Sequence, residues 1–256
     1  MTTASATRPR LEGALLGAVG LGALVLAWWL GTATLLQESP LARSLSPGET
    51  VRSLFALITG DELLTHVLVS LRRVGVGLML ALIFGVPTGY LVGSSHRLDA
   101  ATSPAFQLLR MISPLSWMPV AIMVLGVGDQ PIYFLLAFAG VWPILLSTAS
   151  GVQSLDPGLL DLGASLSATR REVALRIVLP AVLGHVVTGI RLAVGVLWIV
   201  LVPCEMLGVS AGLGYYVLDT RDRLAYSELV AMIVVIGALG FALDYTARAL
   251  GRRFTR

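Results

Sequence analysis

Long uninterrupted apolar segments are the feature of this sequence that most restricts its fold. A helix that spans a bilayer needs about 20 mostly apolar residues, and about six segments satisfy this length. They run from about Gly13 to Leu36, Leu64 to Gly93, Phe106 to Val127, Pro131 to Ser150, Val182 to Val209 and Leu224 to Leu250. The first is too long for the apolar core of a signal peptide and is predicted to be a retained span. The sequence therefore predicts an all-α, polytopic membrane protein with about six transmembrane helices.

Composition supports lipid as the solvent of this chain. Hydrophobic residues make up 56% of the 256 residues, charged residues 13%, and the mean hydropathy is +0.84. Soluble domains carry about 25% charged residues. A soluble fold of this composition would leave a large apolar surface in water.

The absence of lysine excludes several kinds of chemistry. Every basic side chain except histidine is arginine, so the chain has neither a P-loop lysine nor a Schiff-base lysine. If the protein uses ATP, another chain must hydrolyse it, and no catalytic residue is predicted here. The arginines are scattered between apolar segments, which argues against a nucleic-acid partner. Cys204 is the one cysteine, and the three histidines are far apart, so no metal site is predicted.

Arginine distribution predicts the topology. With the N-terminus inside, the inner segments hold ten arginines and the outer loops four. Because cytoplasmic loops carry the excess of basic residues, both termini are expected in the cytoplasm. Four arginines fall within predicted spans, namely Arg72, Arg73, Arg110 and Arg191.

The inner loop between the fourth and fifth spans is longer than a simple turn requires. Leucines recur at helical spacing from Leu155 to Leu166, which indicates a helix with one apolar stripe. Asp156-Pro157 is typical of a helix start, and a second short helix is expected from about Thr169 to Val178. Such a helix pair would either dock on a cytoplasmic partner or lie on the bilayer surface.

Motifs in this loop and in the spans resemble those of one transporter family. Residues Asp161 to Arg170, followed by Ile177-Val178-Leu179-Pro180, resemble the EAA loop of bacterial ABC importer permeases. Asp161-Leu162-Gly163 stands for the family's Glu-Ala-Ala, and Ser167 stands for its glycine. From about residue 60 to the end, further motifs resemble the nitrate/sulfonate/taurine/bicarbonate branch: Ser70-Leu71-Arg72-Arg73-Val74, Gly85-Val86-Pro87-Thr88-Gly89, Pro114-Leu115-Ser116-Trp117-Met118-Pro119, Thr188-Gly189-Ile190-Arg191-Leu192-Ala193 and Glu205-Met206-Leu207-Gly208.

The resemblance implies a type I ABC importer permease (MetI-like) fold in the inner membrane. It divides the chain into residues 1–60, with the N-terminal tail, first helix and external loop, and residues 61–256, the permease core with its coupling loop at about 151–180. It implies a second permease chain, expected as a homodimer, two cytosolic ATPase subunits that bind ATP and Mg²⁺, and an extracytoplasmic solute-binding protein. The solute would be a small anion such as nitrate, bicarbonate or a sulfonate.

Two groups of residues are candidates for function. The resemblance implies ATPase coupling for Leu159, Asp161, Leu162, Gly163, Ala164, Ser165, Leu166, Ser167, Ala168, Thr169 and Arg170. The candidates for the translocation path are the ionisable side chains within spans, which mark functional sites in membrane proteins, and three large apolar side chains. They are Arg72, Arg73, Arg110, Trp117, Met118, Arg191, Trp198 and Glu205. Snorkelling or ion pairing is the alternative for the arginines, and Glu205 is expected to pair with an arginine or to hold a gate.

Other readings of the sequence remain open. The glycine-rich turn from Gly208 to Gly214, together with the charged residues from Asp219 to Arg223, is either a docking surface for the binding protein or a solvated loop. A stand-alone secondary transporter would need a coupling-ion site, and carboxylates in the spans are sparse. An intramembrane enzyme would need a catalytic pair, and no serine motif accompanies His185 near the start of span five.

Overall fold

All regular structure in the described part of the chain is helical. The computed structural model describes residues 8–35, 44–60, 62–156, 158, 161 and 165–254. Its elements are α-helices with short 3₁₀ and π segments, which confirms the all-α prediction. The chain forms two compact units, Met1–Leu63 with Asp219–Val234, and Leu64–Leu218 with Val235–Arg256. The division at residue 60 into an N-terminal segment and a permease core stays a prediction.

The first unit begins with an apolar helix whose surface is suited to lipid. Helix α1 spans Arg8–Leu30 and continues as a π turn over Gly31–Leu35. Its apolar side chains lie on its surface, with Leu16 at 72% and Leu21 at 69% exposure. A helix that is apolar all round is expected either in a protein core or in a membrane. This helix matches the first predicted span.

Helix α2 follows as a short amphipathic element. It spans Pro47–Thr59, and the Ser46 side chain accepts the backbone N–H of Glu49 at 3.5 Å. Proline at the first helical position and serine before it are the usual signals of a helix start. The indole of Trp28 in α1 donates to the carbonyl of Leu45, two residues before α2, at 3.0 Å.

The remaining helices account for the other spans. They are α3 (Glu62–Gly93), α4 (His96–Met111), α5 (Met118–Leu125), α6 (Asp129–Gln153), α7 (Leu179–Glu205), α8 (Leu213–Asp222) and α9 (Tyr226–Phe254). A 3₁₀ turn over Pro114–Trp117 precedes α5, and a helical turn over Arg170–Glu172 and a π segment over Val173–Val178 precede α7. In the described residues, five helices are long and apolar enough to cross a membrane, and a bent pair gives a sixth span.

The predicted third span is wrong as a straight helix. Instead of one helix from Phe106 to Val127, α4 and α5 are bent by 84° at the residues that separate them. Ile112 and Ser113 are extended, with ψ values of 124° and 130°. Proline disfavours the helical conformation in the residue before it and lacks the N–H that would continue the helix. Pro114 therefore ends the straight path of α4.

The predicted fifth span is shifted by several residues. We expect a helix from Val182 to Val209, but helical structure begins at Arg170, continues through the π segment over Val173–Val178 and ends at Glu205. Gly208 and Gly212 adopt φ values of +75° and +123°, a region that favours glycine. These conformations form the turn that leads to α8.

Small residues allow α3 to pack closely on α6. Gly77, Gly85, Gly89 and Gly93 lie four or eight residues apart on one face of α3. A Cβ atom at Gly89 would lie 2.5 Å from the Leu145 carbonyl oxygen, and one at Gly93 would lie 2.7 Å from that of Ala149. Because lipid provides no hydrophobic driving force between helices, such close packing is a main source of helix association in membranes.

Helix α6 is the centre of the second unit. Half of the residues in its most apolar 18-residue segment are buried, a larger share than in any other described span. Gly140 faces Leu197 of α7, and Gly189 of α7 lies against the backbone of Pro143 and Ile144. These close approaches join α6 and α7 along most of their length.

Candidate functional site

A buried carboxylate lies at the end of α7, where the chain turns towards α8. Glu205 is the last residue of α7 and its side chain is 0% exposed. Its oxygens accept hydrogen bonds from the Ser70 hydroxyl at 2.8 Å, the Gly214 N–H at 3.0 Å and the Arg73 guanidinium at 2.7 Å. A buried charge needs such partners, since removal from water is costly.

Arg73 joins three spans through one planar guanidinium. Its side chain is 3% exposed and lies between the carboxylates of Glu205 on α7 and Asp129 on α6. The Nε and Nη2 atoms donate to Asp129 Oδ1 at 2.9 and 2.6 Å, and Nη1 also donates to the Ala211 carbonyl at 2.7 Å. The rigid fork of arginine carries several N–H donors in one plane and therefore suits contacts with two carboxylates and a carbonyl.

Arg72 completes the charge balance of this cluster. It donates to the second oxygen of Asp129, to which the Tyr133 hydroxyl also donates at 3.3 Å. Two guanidinium groups therefore face two carboxylates. The side chain of Arg72 is 58% exposed, so it contributes to the surface of the cluster, whereas Arg73 forms its centre.

The backbone after the glycine-rich turn is held by side chains of α3. His66 Nδ1 accepts the Gly212 N–H at 3.0 Å, and the Ser70 hydroxyl accepts the Leu213 N–H at 2.9 Å. With the bond from Gly214 to Glu205, three consecutive N–H groups at the start of α8 have partners. We call Arg73, Glu205, Asp129, Ser70 and residues 211–214 the Arg73 network.

Only glycine fits the crowded centre of the Arg73 network. A Cβ at Gly212 would lie 2.5 Å from Arg73 Nη1 and from Glu205 Cδ, and one at Gly214 would lie 2.1 Å from the Val202 carbonyl oxygen. Above the network, an open cleft of about 690 Å³ is lined by Arg72, Asp129 and exposed residues of the turn such as Ser210.

A second candidate site lies near the middle of α6 and α7. It is an open cavity of about 500 Å³ between the break after α4, α6 and α7. Its lining is Arg110, Ile112, Pro114, Ala139, Trp142, Pro143, Leu146, Ser147, Leu192, Val196 and Val200. We call it the Arg110 cavity. In the described residues, Arg110 makes no hydrogen bond or ion pair, and no carboxylate lines the cavity.

The other path candidates divide between the core and the surface. Met118 is buried, and Trp117 and Trp198 pack against the same apolar cluster. The ring of Trp198 also faces Gly240 of α9, where a Cβ would lie 2.4 Å from its Nε1. Arg191 is exposed on α7. The structure thus brings Arg72, Arg73 and Glu205 together, places Arg110 in a cavity and leaves Arg191 apart from both.

The coupling loop is described only in part. Leu159, Leu162, Gly163 and Ala164 lie outside the described residues, as does the side chain of Arg170. Ser165 donates to the Asp161 carbonyl at 2.9 Å, Ala168 is half-buried, and Leu166 is 72% exposed. Ser167 has a φ of 53°, the left-handed conformation that glycine adopts most readily. This conformation explains why the EAA motif has glycine at the position of Ser167.

A capping box starts the helical segment after the loop, where the sequence predicts a short helix from about Thr169 to Val178. The Thr169 N–H and hydroxyl donate to Glu172 at 2.9 and 2.8 Å, and the Glu172 N–H donates to the Thr169 hydroxyl at 3.3 Å. This reciprocal arrangement satisfies two N–H groups that a helix start would leave free. The bond from the Thr169 backbone N–H, with that from its hydroxyl, lowers the pKa of Glu172 below its ordinary value.

Sequence reasoning missed several residues of both sites. Asp129 lies just before the predicted fourth span, which begins at about Pro131, yet it is the first residue of α6. Ser70 stands in the motif Ser70-Leu71-Arg72-Arg73-Val74 but was not among the candidate site residues, and Ser147 has no sequence signal, since isolated serines are common in membrane helices. The repeated four-residue spacing of small residues on α3 could have identified its contact face with α6.

Comparisons with known proteins agree with this architecture. Residues 77–256 match the family described as binding-protein-dependent transport system inner membrane component. The chain is 31% identical over 245 residues to the bicarbonate transport system permease protein CmpB of Synechococcus elongatus, covering 93% of this chain and 88% of that protein. It is 32% identical over 243 residues to the taurine transport system permease protein TauC of Escherichia coli, with the same coverage. Against the nitrate import permease protein NrtB of Leptolyngbya laminosa, identity is 31% over 186 residues, or 73% of this chain and 67% of that protein.

Solved structures share the fold. A chain of the inward-facing MetNI methionine ABC transporter superposes with a TM-score of 0.65 at 17% identity, covering 76% of this chain and 97% of the other. A chain of a bacterial alginate ABC transporter, solved with an alginate-bound periplasmic protein, superposes with a TM-score of 0.66 at 12% identity, covering 97% and 98%. At these identities the likeness concerns the fold alone, which is that of a type I ABC importer permease.

Proposed function

This chain belongs to the binding-protein-dependent transport system inner membrane components, and we propose that it forms the translocation path of an ATP-driven importer for a small anion. As a member of this family, the chain is a multi-pass permease subunit of the inner membrane. ATP and Mg²⁺ would bind to separate ATPase chains, because this chain has no lysine for a P-loop. The reaction class is solute transport, with the hydrolytic chemistry on the partner.

The observation that carries the anion assignment is the position of Arg110. Its guanidinium borders a cavity at the level of Leu192 and Val196, near the middle of α7. The Arg110 side chain is exposed and makes no ion pair within the described residues, so its charge is available to an anion that enters the cavity. Ionisable residues within spans commonly mark solute paths. The names of the relatives refer to bicarbonate, nitrate and taurine, each of which carries an anionic group.

The loop before α7 is the proposed contact with the ATPase. Leu166 presents an apolar side chain to the surface, and Leu159 and Leu162 share its helical stripe in the sequence. The capping box and the π segment connect this loop directly to α7. Movement of an ATPase that holds the loop would therefore act on the helix that lines the Arg110 cavity.

The remaining partners follow from the family. Two ATPase subunits would bind two permease chains, expected as a homodimer, with both termini in the cytoplasm. The solute-binding protein would dock at the opposite end, where the 690 Å³ cleft above the Arg73 network opens beside Arg72, Asp129 and Ser210. Reporter fusions at each terminus test this orientation.

Co-purification tests the assignment. Full-length chain is isolated from its native membrane in mild detergent, and co-purifying proteins are identified by mass spectrometry. We expect a P-loop ATPase in about equal amount, and its loss when Leu159, Leu162 and Leu166 are changed together to alanine. The matched control replaces Leu16, Leu21 and Leu24, exposed leucines of α1, and should retain the ATPase.

Two results would contradict the proposal. If the wild-type chain purifies well folded and alone, and catalyses uptake in liposomes without ATP, it is a secondary transporter. If the Leu159, Leu162 and Leu166 variant inserts normally and keeps the ATPase, the loop is not the coupling contact.

A further inference from the structure

We propose that helix α2 is a lipid-binding surface, which lies at the boundary of the bilayer and inserts Val51, Phe55 and Ile58 among the acyl chains. The leaflet concerned is the one at the C-terminal end of α1. This inference does not depend on the ATPase assignment, because it requires only that α1 and α3 cross the membrane. It follows from the depth at which α2 begins, from the faces of the helix and from its connection to α3.

The hydrogen bond between Trp28 and Leu45 determines the depth at which α2 begins. Trp28 belongs to the apolar span Leu15–Thr34 and lies about 9 Å before its end, at 1.5 Å per residue. The Leu45 carbonyl accepts the Trp28 indole N–H at 3.0 Å, and α2 starts at Pro47. The chain therefore returns to the level of the span after α1, so that α2 begins at the membrane boundary and not in the water beyond it.

One face of α2 packs on protein, and the neighbouring face is apolar but exposed. Thr50 and Leu57 are 2% and 9% exposed. About a third of a turn around the helix, at about 100° per residue, lie Val51, Phe55 and Ile58, which are 49%, 67% and 61% exposed. Their spacing of four and three residues places them on one stripe. Contact with acyl chains would remove this apolar surface from water.

The remaining face of α2 is suited to headgroups and water. Arg52 donates to Glu49 at 2.8 Å, and their side chains are 80% and 46% exposed. Because these two charges neutralise each other, this face offers no net charge to a charged protein surface. A helix with an apolar stripe beside a charged one is typical of helices that lie in the membrane interface.

The end of α2 is also connected to a membrane span. Gly60 caps α2, and Glu62 is the first residue of α3, which is the next helix long and apolar enough to cross the membrane. The 13 residues of α2 extend over about 20 Å. Short connections at both ends therefore hold α2 between two spans at one surface of the bilayer, where its apolar stripe has lipid as its neighbour.

Spin labels on α2 test the inference in the full-length chain in liposomes. Phe55→Cys and Ile58→Cys are labelled and compared with Arg52→Cys on the polar face and with Leu21→Cys, an exposed position within the α1 span. Cys204 is buried, and the unsubstituted chain measures background labelling. Power saturation compares the collisions of each label with oxygen, which concentrates in lipid, and with a nickel chelate, which stays in water.

We expect the labels of Phe55→Cys and Ile58→Cys to favour oxygen over the chelate, as that of Leu21→Cys does, and to lie about 5–10 Å below the headgroup boundary. The label of Arg52→Cys should favour the chelate.

Two results would overturn the inference. If the labels of Phe55→Cys and Ile58→Cys collide with the chelate as often as that of Arg52→Cys, then α2 lies in water. If they are immobilised and collide with neither reagent, a second copy of the chain or another protein covers the stripe. Both results concern α2 alone and leave the proposed function, which co-purification of the ATPase tests, unchanged.

Discussion

Replacing Glu205 by glutamine should destabilise the protein far more than its small change in shape suggests. Both carboxylate oxygens accept hydrogen bonds: Oε1 from Arg73 and Ser70, and Oε2 from Ser70 and the Gly214 N–H. A glutamine side chain has one acceptor oxygen and one NH₂ donor. In either orientation, Glu205→Gln therefore places a donor against Arg73 or against Gly214.

The magnitude follows from burial and from the remaining partner of Arg73. Loss of one member of a buried ion pair typically costs about 3–5 kcal/mol, because the other charge stays buried. Arg73 is 3% exposed, but it keeps Asp129, which is 29% exposed. We therefore expect the free energy of unfolding to fall by about 3 kcal/mol, near the lower end of that range.

Reversible unfolding in mixed micelles, with increasing denaturing detergent, measures this loss. The control is Glu49→Gln, which breaks the exposed pair of Glu49 with Arg52 and should cost less than about 0.5 kcal/mol. In the double variant Arg73→Met/Glu205→Gln, the cost should be below the sum of the single costs by about 2 kcal/mol. Additive costs, or a Glu205→Gln effect no larger than that of the control, would refute the reasoning.

Two further predictions concern the backbone around these sites. Gly214→Ala should destabilise the chain by about 3 kcal/mol, because the added Cβ would clash with the Val202 carbonyl. Gly195→Ala, which has open space around it, should instead stabilise α7 by about 0.5–1 kcal/mol. Thermal unfolding of the two variants and the wild type measures both effects. The Thr169 N–H lowers the pKa of Glu172, so the capping box should be complete above the ordinary value of 4.5 and weaken as pH falls through the lowered pKa. As the capping box weakens, amide hydrogens in the segment after Thr169 should exchange faster, and Glu172→Gln should remove this pH dependence. Unchanged protection of these amides at low pH in the wild type would contradict the proposed cap.

The spans could be predicted from the sequence because hydropathy averages over many residues. Helices α3 and α6 begin within two residues of the predicted starts. The prediction of one unbroken third span was wrong because average hydropathy does not detect a single break in a helix. Pro114 changes the backbone only locally. Whether a proline bends a membrane helix or is accommodated depends on neighbouring helices, which hydropathy does not include.

The candidate residues could be found from the sequence, but their grouping could not. Charge within apolar segments identified Arg73, Arg110 and Glu205, since such residues are rare at that depth. Glu205 is 132 residues from Arg73 along the chain, and no local pattern relates them. The difference between Arg73, which is fully paired, and Arg110, which borders a cavity, depends on helix packing and required the structure.

Helix α7 connects the two ends of the second unit. At its beginning, the π segment joins it to the loop for which we propose ATPase contact, and at its end Glu205 holds the turn and the start of α8. Along its length, Gly189 lies against the α6 backbone and Leu197 against Gly140, so we expect these two closely packed helices to move together. The wall of the Arg110 cavity formed by α4 lacks such close glycine contacts in the described residues. If the loop moves α7, the same displacement must reach the Arg73 network, and the cavity should change width at its α4 side.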